Sequence, residues 1–479
     1  MTLKMYNTLT GEKEEFKPVA SGKVKMYSCG PTVYDYFHIG NARAFVVPDI
    51  IKRYLEYRGY EVYHVLNFTD IDDKMINRAN EEGISTEQLA EKFITAYFED
   101  TDALNIKRAD IYPRATEHIP QMIELVKDLL EKDYAYQSGG DIYYRVEEFS
   151  DYGKLSKKDI EDLQAGARVE VNQQKENPLD FTLWKESKPG EPSWDSPWGS
   201  GRPGWHVECS VMSTEYLGAP FDIHTGGIDL VFPHHENEIA QSEAYCSCNQ
   251  AVNYWLHNGY INIDGEKMSK SLGNFFTTRE ILEEYAPEVV RFFLLSKHYR
   301  SPINFSDKNL EESAKGLERL RNTVEELAYL AEQPVEAGEQ KFPGKLRELA
   351  WAKKEKFIAA MDDDFNTALA IGALHELARE VNKIINNDDF KLTRKLKNDI
   401  IKTKEVFAEL GEEVLGVTLT PEVQEKTESS REEELIELLL NVRSQAREEE
   451  NYQLADKIRD QLDELGIEVT DTPRGAKWK

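Results

Sequence analysis

The chain has 479 residues, 40% apolar and 10% aromatic, enough for about three domains with cores of their own and incompatible with a wholly disordered chain. Acidic residues outnumber basic ones 88 to 59, a net charge of −29, so the chain is no general coat for nucleic acid. Any polyanion it holds must meet a local basic surface, and that binding should be salt-sensitive.

No run approaches the roughly 20 apolar residues of a membrane helix, and the first residues lack the apolar stretch of a signal peptide. Four cysteines are too few for a disulfide scaffold, and a cytoplasmic home is expected. No internal repeat is apparent, which excludes solenoids and propellers. Val24, Met26 and Ser28 alternate with Lys25, Tyr27 and Cys29, the period of a strand, and Gly30–Pro31 turn the chain. Residues 41–58 read as a helix with Phe45, Ile50, Ile51, Tyr54 and Leu55 as its apolar positions and Gly59 as its stop. Pro48 should kink that helix or mark a late start. Residues 62–68 read as the next strand. Such a βαβ unit points to an α/β fold with a parallel, doubly wound sheet.

The stretch 186–204 holds four prolines and four glycines and reads as a rigid loop, neither helix nor central strand. It closes an insertion spanning 118–200. Beyond Asn309, residues Leu310, Leu317, Leu320, Val324, Leu327 and Leu330 recur at helical spacing. A loop at 333–344 separates them from a second helical block at 345–410. Residues 411–431 read as a linker. A small mixed α/β unit follows, with helices at 432–446 and 452–465, Gly466 as stop and a short strand at 467–469.

Two segments suit phosphate chemistry. His38-Ile39-Gly40-Asn41 lies between a strand and a helix, where backbone N–H groups and the helix dipole favour anions. Alone, it equally suits a histidine at a helix start beside a turn glycine. Lys267-Met268-Ser269-Lys270-Ser271 follows Asp264-Gly265, a tight turn, and puts two lysines three apart on an exposed loop suited to a polyphosphate. His234 and Glu238 are four apart and share a face if a helix starts there. Cys29 and Cys209 lie 180 residues apart, and spacing alone favours ordinary buried residues over a metal.

The pair HIGN and KMSKS, more than 200 residues apart, resembles the signatures of class I aminoacyl-tRNA synthetases. The text around Cys29-Gly-Pro-Thr-Val-Tyr-Asp-Tyr-Phe-His-Ile-Gly40, Asn67-Phe-Thr-Asp-Ile-Asp-Asp-Lys74, Gly201-Arg-Pro-Gly-Trp-His-Val-Glu-Cys209 and Phe232-Pro-His-His-Glu-Asn-Glu238 is similar to the cysteinyl-tRNA synthetases. The likeness runs nearly end to end and includes Met361-Asp-Asp-Asp-Phe-Asn-Thr367. Asn41 departs from the second histidine usual in the wider class and still offers a hydrogen bond.

The resemblance implies a Rossmann-type core at 1–117 and 201–255, a connective peptide at 118–200 and a KMSKS-containing linking domain at 256–309. It further implies a tRNA-binding helical bundle at 310–410 and an anticodon-binding domain at 421–479. The activity implied is joining of L-cysteine to ATP and transfer of the cysteinyl group to tRNA-Cys. His38, Asn41, Lys267 and Lys270 would be catalytic, with Gly40 and Gly227 also against ATP. Thr69, Trp205 and Asp229 would border the cysteine. Cys29, Cys209, His234 and Glu238 would ligate one Zn²⁺, a donor set suited to a tetrahedral ion, and Mg²⁺ would come with ATP. His235 is expected to pack or hydrogen-bond nearby. Cys246 and Cys248, on opposite faces of any strand, are read as incidental thiols. Arg447, Tyr452, Asp456 and Asp471 would read the anticodon by stacking and hydrogen bonds. A monomer is expected. Two rivals remain open at this stage: a cysteine ligase that acylates an amino-sugar, and a non-catalytic tRNA-binding paralogue.

Overall fold

Strand β1 (Lys23–Ser28) keeps its period of two only at its start: Lys23 and Lys25 are exposed and Val24 and Met26 buried, but Tyr27 and Ser28 are both buried. Alternation is lost because the strand is covered on both faces, as in parallel sheets generally. β1 lies between β2 (Glu61–Leu66) and β3 (Phe221–Gly227), with β4 (Val252–Asn258) outside β3. All three pairings are parallel. Helix α1 (Ile39–Tyr57) crosses from β1 to β2, α2 (Trp205–Leu217) leads into β3, and α3 (Glu236–Cys246) crosses from β3 to β4. The chain therefore winds away from β1 and β3 in opposite directions, and their carboxyl ends flank the crevice where ligands of such sheets bind. The doubly wound α/β reading holds.

The computed structural model describes residues 2–158, 174–263, 266–267, 276–336, 345–420, 428–448, 451–465, 467, 469–472 and 475–478. Two compact units are present, Met1–Thr420 and Pro421–Lys479. Among the described residues, no helix is long and apolar enough to cross a membrane.

α1 starts at Ile39, and Pro48 lies inside it without delaying its start. The early start comes from His38, which caps the helix. The run from Phe45 to Leu55 is buried throughout, so packing holds Pro48 in the helix against its own preference.

The inserted segment forms a helix, Ile119–Glu131, and a five-stranded antiparallel sheet. Its strands lie in the order Ala135–Ser138, Asp141–Tyr144, Phe181–Glu186, Gly199–Pro203 and Trp194–Ser196. This corrects the loop reading of 186–204, which contains two strands, one of them interior. Gly201 is there for proximity, because a methyl group on it would lie 2.4 Å from the indole nitrogen of Trp184.

Helices Pro287–Leu295, Asp307–Glu332, Lys345–Asp362, Thr367–Ile385 and Arg394–Ala408 complete the first unit. The six residues expected at helical spacing from Leu310 to Leu330 are all buried. The linker read at 411–431 is also corrected. Val414, Leu415, Val417 and Leu419 are buried in the first unit, which runs to Thr420. Gly416 has φ +64 and no room for a side chain, since a methyl group would lie 2.5 Å from Arg291.

The second unit packs helices Glu428–Glu448 and Tyr452–Glu464 through Ile436, Leu440, Ile458 and Leu462. Its expected strand at 467–469 is instead a hairpin of Val469–Thr472 and Gly475–Trp478. A further correction concerns Cys246 and Cys248, which form a disulfide. Ser247 between them is left-handed at φ +51, so the alternation of an extended strand does not apply.

Asp49 of α1 is buried and accepts from Arg53 at 2.9 Å, from the backbone N–H of Lys107 at 2.8 Å, and from Arg291. Burial opposes its charge, but Arg291 and Arg53 outweigh burial and hold the carboxyl below its usual range. Asp49→Asn leaves two buried guanidinium groups short of counter-charge and should cost about 3–5 kcal/mol in urea unfolding. The contribution is present above the ordinary carboxylate range and lost as pH falls through the depressed value, so the acid limb of the stability profile should flatten in the variant.

Candidate active site

Cys29 follows β1 directly, and its N–H donates to the Thr225 carbonyl of β3 at 3.3 Å. Gly30 then passes so close to the end of β2 that a methyl group on it would lie 1.6 Å from the Asn67 carbonyl oxygen. The Asn67 side-chain oxygen accepts from the Gly30 N–H and the Tyr27 hydroxyl, each at 3.0 Å. Cys209 projects from the first turns of α2. His234 and Glu238 stand four apart where the chain enters α3, with His234 Nε2 at 2.9 Å from Glu238 Oε1. The carboxyl ends of the sheet thus assemble four donors distant in sequence.

Those donors, Cys29, Cys209, His234 and Glu238, lie within 4.8 Å of one another. Cys29 Sγ is 3.7 Å from Cys209 Sγ and 3.5 Å from Glu238 Oε1. A tetrahedral ion with metal–sulfur bonds of about 2.3 Å and metal–oxygen bonds of about 2.1 Å has edges of about 3.8 and 3.6 Å, so the residues fit such an ion. A second group, Cys29, His224, His235 and Glu238, is equally compact but shares two donors with the first. Its His235 turns Nε2 to Cys29 Sγ at 3.3 Å, with Nδ1 at 2.7 Å from His257 Nε2. His257 Nδ1 lies 2.8 Å from the Thr8 hydroxyl in turn.

Burial disfavours charge on Glu238, yet His224 and His234 hold its carboxyl well below the usual range. Burial likewise opposes the His234 imidazolium, but Glu238 and Cys209 push it up to about 10. A hydrogen bond from Cys29 pulls the Cys209 thiol down to about 6. Burial and the Cys209 contact keep Cys29 protonated, well above its usual range. Without an ion the cluster is one thiolate, one thiol, one carboxylate and one imidazolium, and metal binding must release protons.

The Trp205 ring stacks on His234 at 4.3 Å between centroids and is 44% exposed, so it borders the cluster on the solvent side. Thr69 is buried, and its hydroxyl donates to Glu208 Oε2 at 2.7 Å. Asp229 is exposed, just past Gly227 at the end of β3. Its charge, after burial, raises the Tyr260 hydroxyl, so it faces the Tyr260 side of the crevice.

His38 and Asn41 form a reciprocal cap. His38 Nδ1 accepts from the Asn41 N–H at 3.2 Å, and Asn41 Oδ1 accepts from the His38 N–H at 3.3 Å. Gly40 lies in this first turn of α1. The Phe37–Ile39 backbone pairs with Phe276–Thr278 through Thr278 N–H to Phe37 O at 2.9 Å and Ile39 N–H to Phe276 O at 3.3 Å. The start of α1 thereby lies beside residues 276–278, a few positions past the second signature. Lys267 lies on a short strand, Glu266–Lys267, opposite Asn262; Lys270 lies outside the described residues.

In the second unit, Arg447 is exposed near the end of helix Glu428–Glu448, and Tyr452, 60% exposed, opens the next helix. Asp456 is exposed one turn on, 3.7 Å from Arg459. Asp471 stands opposite Ala476 in the hairpin.

Sequence reading missed four residues that support the site. His224 Nε2 holds Glu238 Oε2 at 2.9 Å, and His206 Nδ1 is 2.9 Å from His234 Nδ1. Glu208 takes the Thr69 hydroxyl, and Asn67 fixes Gly30. Asn67, His206 and Glu208 lie within the quoted segments and His224 outside them, but nothing in a linear pattern marks a residue that holds another.

The family described as "tRNA synthetases class I (C) catalytic domain" matches residues 15–315, and the DALR domain family matches 356–420. The first match defines the class. The cysteine–tRNA ligase of Thermococcus onnurineus is 52% identical over 482 residues, covering 100% of this chain and 99% of that protein. That of Carboxydothermus hydrogenoformans is 53% identical over 487 residues, covering 100% of both. The chain belongs to the cysteine–tRNA ligase family. A Mycobacterium tuberculosis methionyl-tRNA synthetase in complex with methionyl-adenylate shares the fold, with a TM-score of 0.63 at 16% identity over 82% of this chain and 92% of that one.

In metal-stripped protein, ultraviolet thiolate absorbance should persist at neutral pH and fall as pH drops through about 6, with Cys209→Ser abolishing it. Absorbance that survives in Cys209→Ser would reassign the thiolate.

Proposed function

We propose that the chain activates L-cysteine with ATP to cysteinyl-adenylate and transfers the cysteinyl group to the 3′ end of tRNA-Cys. The observation that carries this reading is the two-cysteine donor cluster, buried but for a half-buried Cys29, at the switch point of a class I catalytic domain.

The cysteine carboxylate attacks the α-phosphorus of ATP, and the bond to pyrophosphate breaks. A terminal ribose hydroxyl of tRNA then attacks the acyl carbon, and AMP leaves. No covalent enzyme intermediate is needed, so positioning and charge stabilisation dominate. The N-terminus of α1, with His38, Gly40 and Asn41, receives the phosphate chain. Gly227 leaves room for the nucleotide at the end of β3. Lys267 and Lys270 neutralise the departing pyrophosphate, and Mg²⁺ accompanies ATP. Trp205 and Thr69 border the cysteine, and Asp229 receives its ammonium group.

Cys29, Cys209, His234 and Glu238 hold one Zn²⁺, whose chemistry prefers a thiolate to a hydroxyl. His224 and His206 orient two of those ligands. Cysteine and serine differ by one atom, and shape alone separates near-isosteres by only about a hundredfold. Sensing sulfur directly makes a second, editing site unnecessary.

For tRNA, the helical block carries a groove of about 1320 Å³ lined by Lys297, Arg319, Arg379 and Lys383 against Glu312 and Glu376, a modest excess of cations on an acidic chain. Residues 310–410 bind tRNA there, and 421–479 read the anticodon through Arg447, Tyr452, Asp456 and Asp471. The protein acts as a cytoplasmic monomer.

Pyrophosphate exchange should require cysteine and reject serine by more than about a hundredfold, with stoichiometric zinc in the active protein. A zinc-free enzyme that still rejects serine to that degree would overturn the selector. Tyr452→Ala in the full chain should weaken tRNA binding by about 1–3 kcal/mol while sparing exchange. Unchanged charging by that variant would remove Tyr452 from the anticodon site.

A further inference from the structure

The segment Met361–Thr367 takes no part in the chemistry above, yet its residues reach out of the helical block in several directions. Asp362 accepts the Tyr54 hydroxyl of α1 at 2.7 Å and pairs with Arg58. Asp363 pairs with Lys13 at 2.7 Å, and the Thr367 hydroxyl donates to the Leu295 carbonyl at 2.8 Å. Asp364 is fully buried and accepts from the Tyr6 N–H, the Tyr299 hydroxyl and Arg300 Nε, each at 2.8 Å. Asp364 and Phe365 are both left-handed, at φ +70 and +51. Non-glycine residues hold that conformation only where the surroundings over-determine it, and these contacts do so.

The neighbouring stretch His298–Ser301 is gripped from its other side by Arg43, two residues past Asn41 in α1. Arg43 is fully buried. Nη2 donates to the His298 carbonyl at 3.1 Å and the Ser301 carbonyl at 2.7 Å; Nη1 donates to the Gly259 carbonyl at 2.9 Å and the Tyr260 carbonyl at 3.0 Å. Among the described residues no carboxylate offsets its burial. Burial pulls its guanidinium down to about 10, so it is charged at neutral pH.

Filling this position with an apolar side chain would avoid the desolvation of a cation. What the guanidinium adds is geometry, four directed bonds to two separate turns. Gly259–Tyr260 run straight into the strand Ile261–Ile263, which pairs with Glu266–Lys267 on one side and Ile303–Phe305 on the other. One side chain therefore spans the start of α1 and the small sheet that carries Lys267.

We propose that Arg43 and Asp364 are positioning residues that hold the helix bearing His38 and Asn41 in register with the strand bearing Lys267, and tie that register to the helical block. The inference rests on the ATP-binding role proposed above for those segments. Asp364 fixes Tyr299 and Arg300, the flanking carbonyls fix Arg43, and Arg43 fixes α1 against residues 259–263.

The test is cysteine-dependent pyrophosphate exchange by the full chain carrying Arg43→Met, Arg43→Lys, Asp364→Asn or Arg43→Lys with Asp364→Asn. Arg43→Met should lower kcat/KM for ATP about a hundredfold, the scale of a small misplacement of reacting groups. Arg43→Lys should recover part of that, and Asp364→Asn should lose about tenfold in the same parameter. The KM for cysteine should stay within about twofold and the zinc content should not change. The double variant should lose less than the product of the single losses, because both residues act on one structure. A KM for cysteine raised as far as kcat/KM for ATP falls, or multiplicative losses in the double variant, overturns the relay. If Arg43→Met does not fold, the lysine and asparagine variants decide by the same criteria. An unsubstituted chain without exchange overturns the proposed function itself, a result distinct from an active chain whose variants behave equally toward both substrates.

Discussion

A carboxylate is hard to keep charged where water cannot reach it, and Glu238 is 2% exposed. Two imidazoles meet it from opposite sides, His224 from β3 and His234 from the entry to α3, each at 2.9 Å. Those contacts locate α3 against β3, and α3 carries the chain on to β4. The same carboxylate brings His234 within reach of Cys209 from α2 and Cys29 from the end of β1. Satisfying one buried charge therefore draws together four elements of the core, and the donor cluster is a consequence of that requirement. Removing Glu238 would take from His224 and His234 the carboxylate each meets at 2.9 Å, so fold and site are coupled there.

α/β character was legible because β1 and α1 have the residue periods of their elements, and Gly59 ends α1 as expected. Boundaries shifted where a side chain did backbone work, as His38 does in starting α1 at Ile39. The stretch 186–204 misled because glycine and proline were weighed as breakers. In Gly199–Pro203 the glycine instead clears space for Trp184. The linker at 411–431 misled because the apolar residues at 414, 415, 417 and 419 were too few to show a period, although they are buried.

Site residues divided along the same line. His234 and Glu238 could be paired by spacing, because i and i+4 share a face. Cys29 and Cys209 could not, because 180 residues separate them and only the closing of the sheet brings them to 3.7 Å. Resemblance to a family supplied that pairing in advance of any geometry. Residues one step further out, such as His224 and His206, bear on members of the donor cluster from behind. Their role is a matter of direction and distance, which a linear pattern does not carry.

The departure at Asn41 has a chemical consequence for the helix that holds it. His38 Nδ1 accepts a hydrogen bond from the Asn41 N–H, so in a neutral ring the proton must lie on Nε2. Asn41 returns the bond through its own side-chain oxygen, which an amide can do and which fixes the turn. The reciprocal cap therefore selects the tautomer that keeps Nε2–H as a donor, without requiring a protonated ring. A histidine at position 41 could reach the same backbone group only by spending a ring nitrogen and taking up its own tautomer preference. Asparagine keeps its NH₂ group as a donor while its oxygen closes the cap, so the exchange of one polar residue for another preserves a donor at the N-terminal end of α1 and makes the histidine's tautomer a property of the helix start.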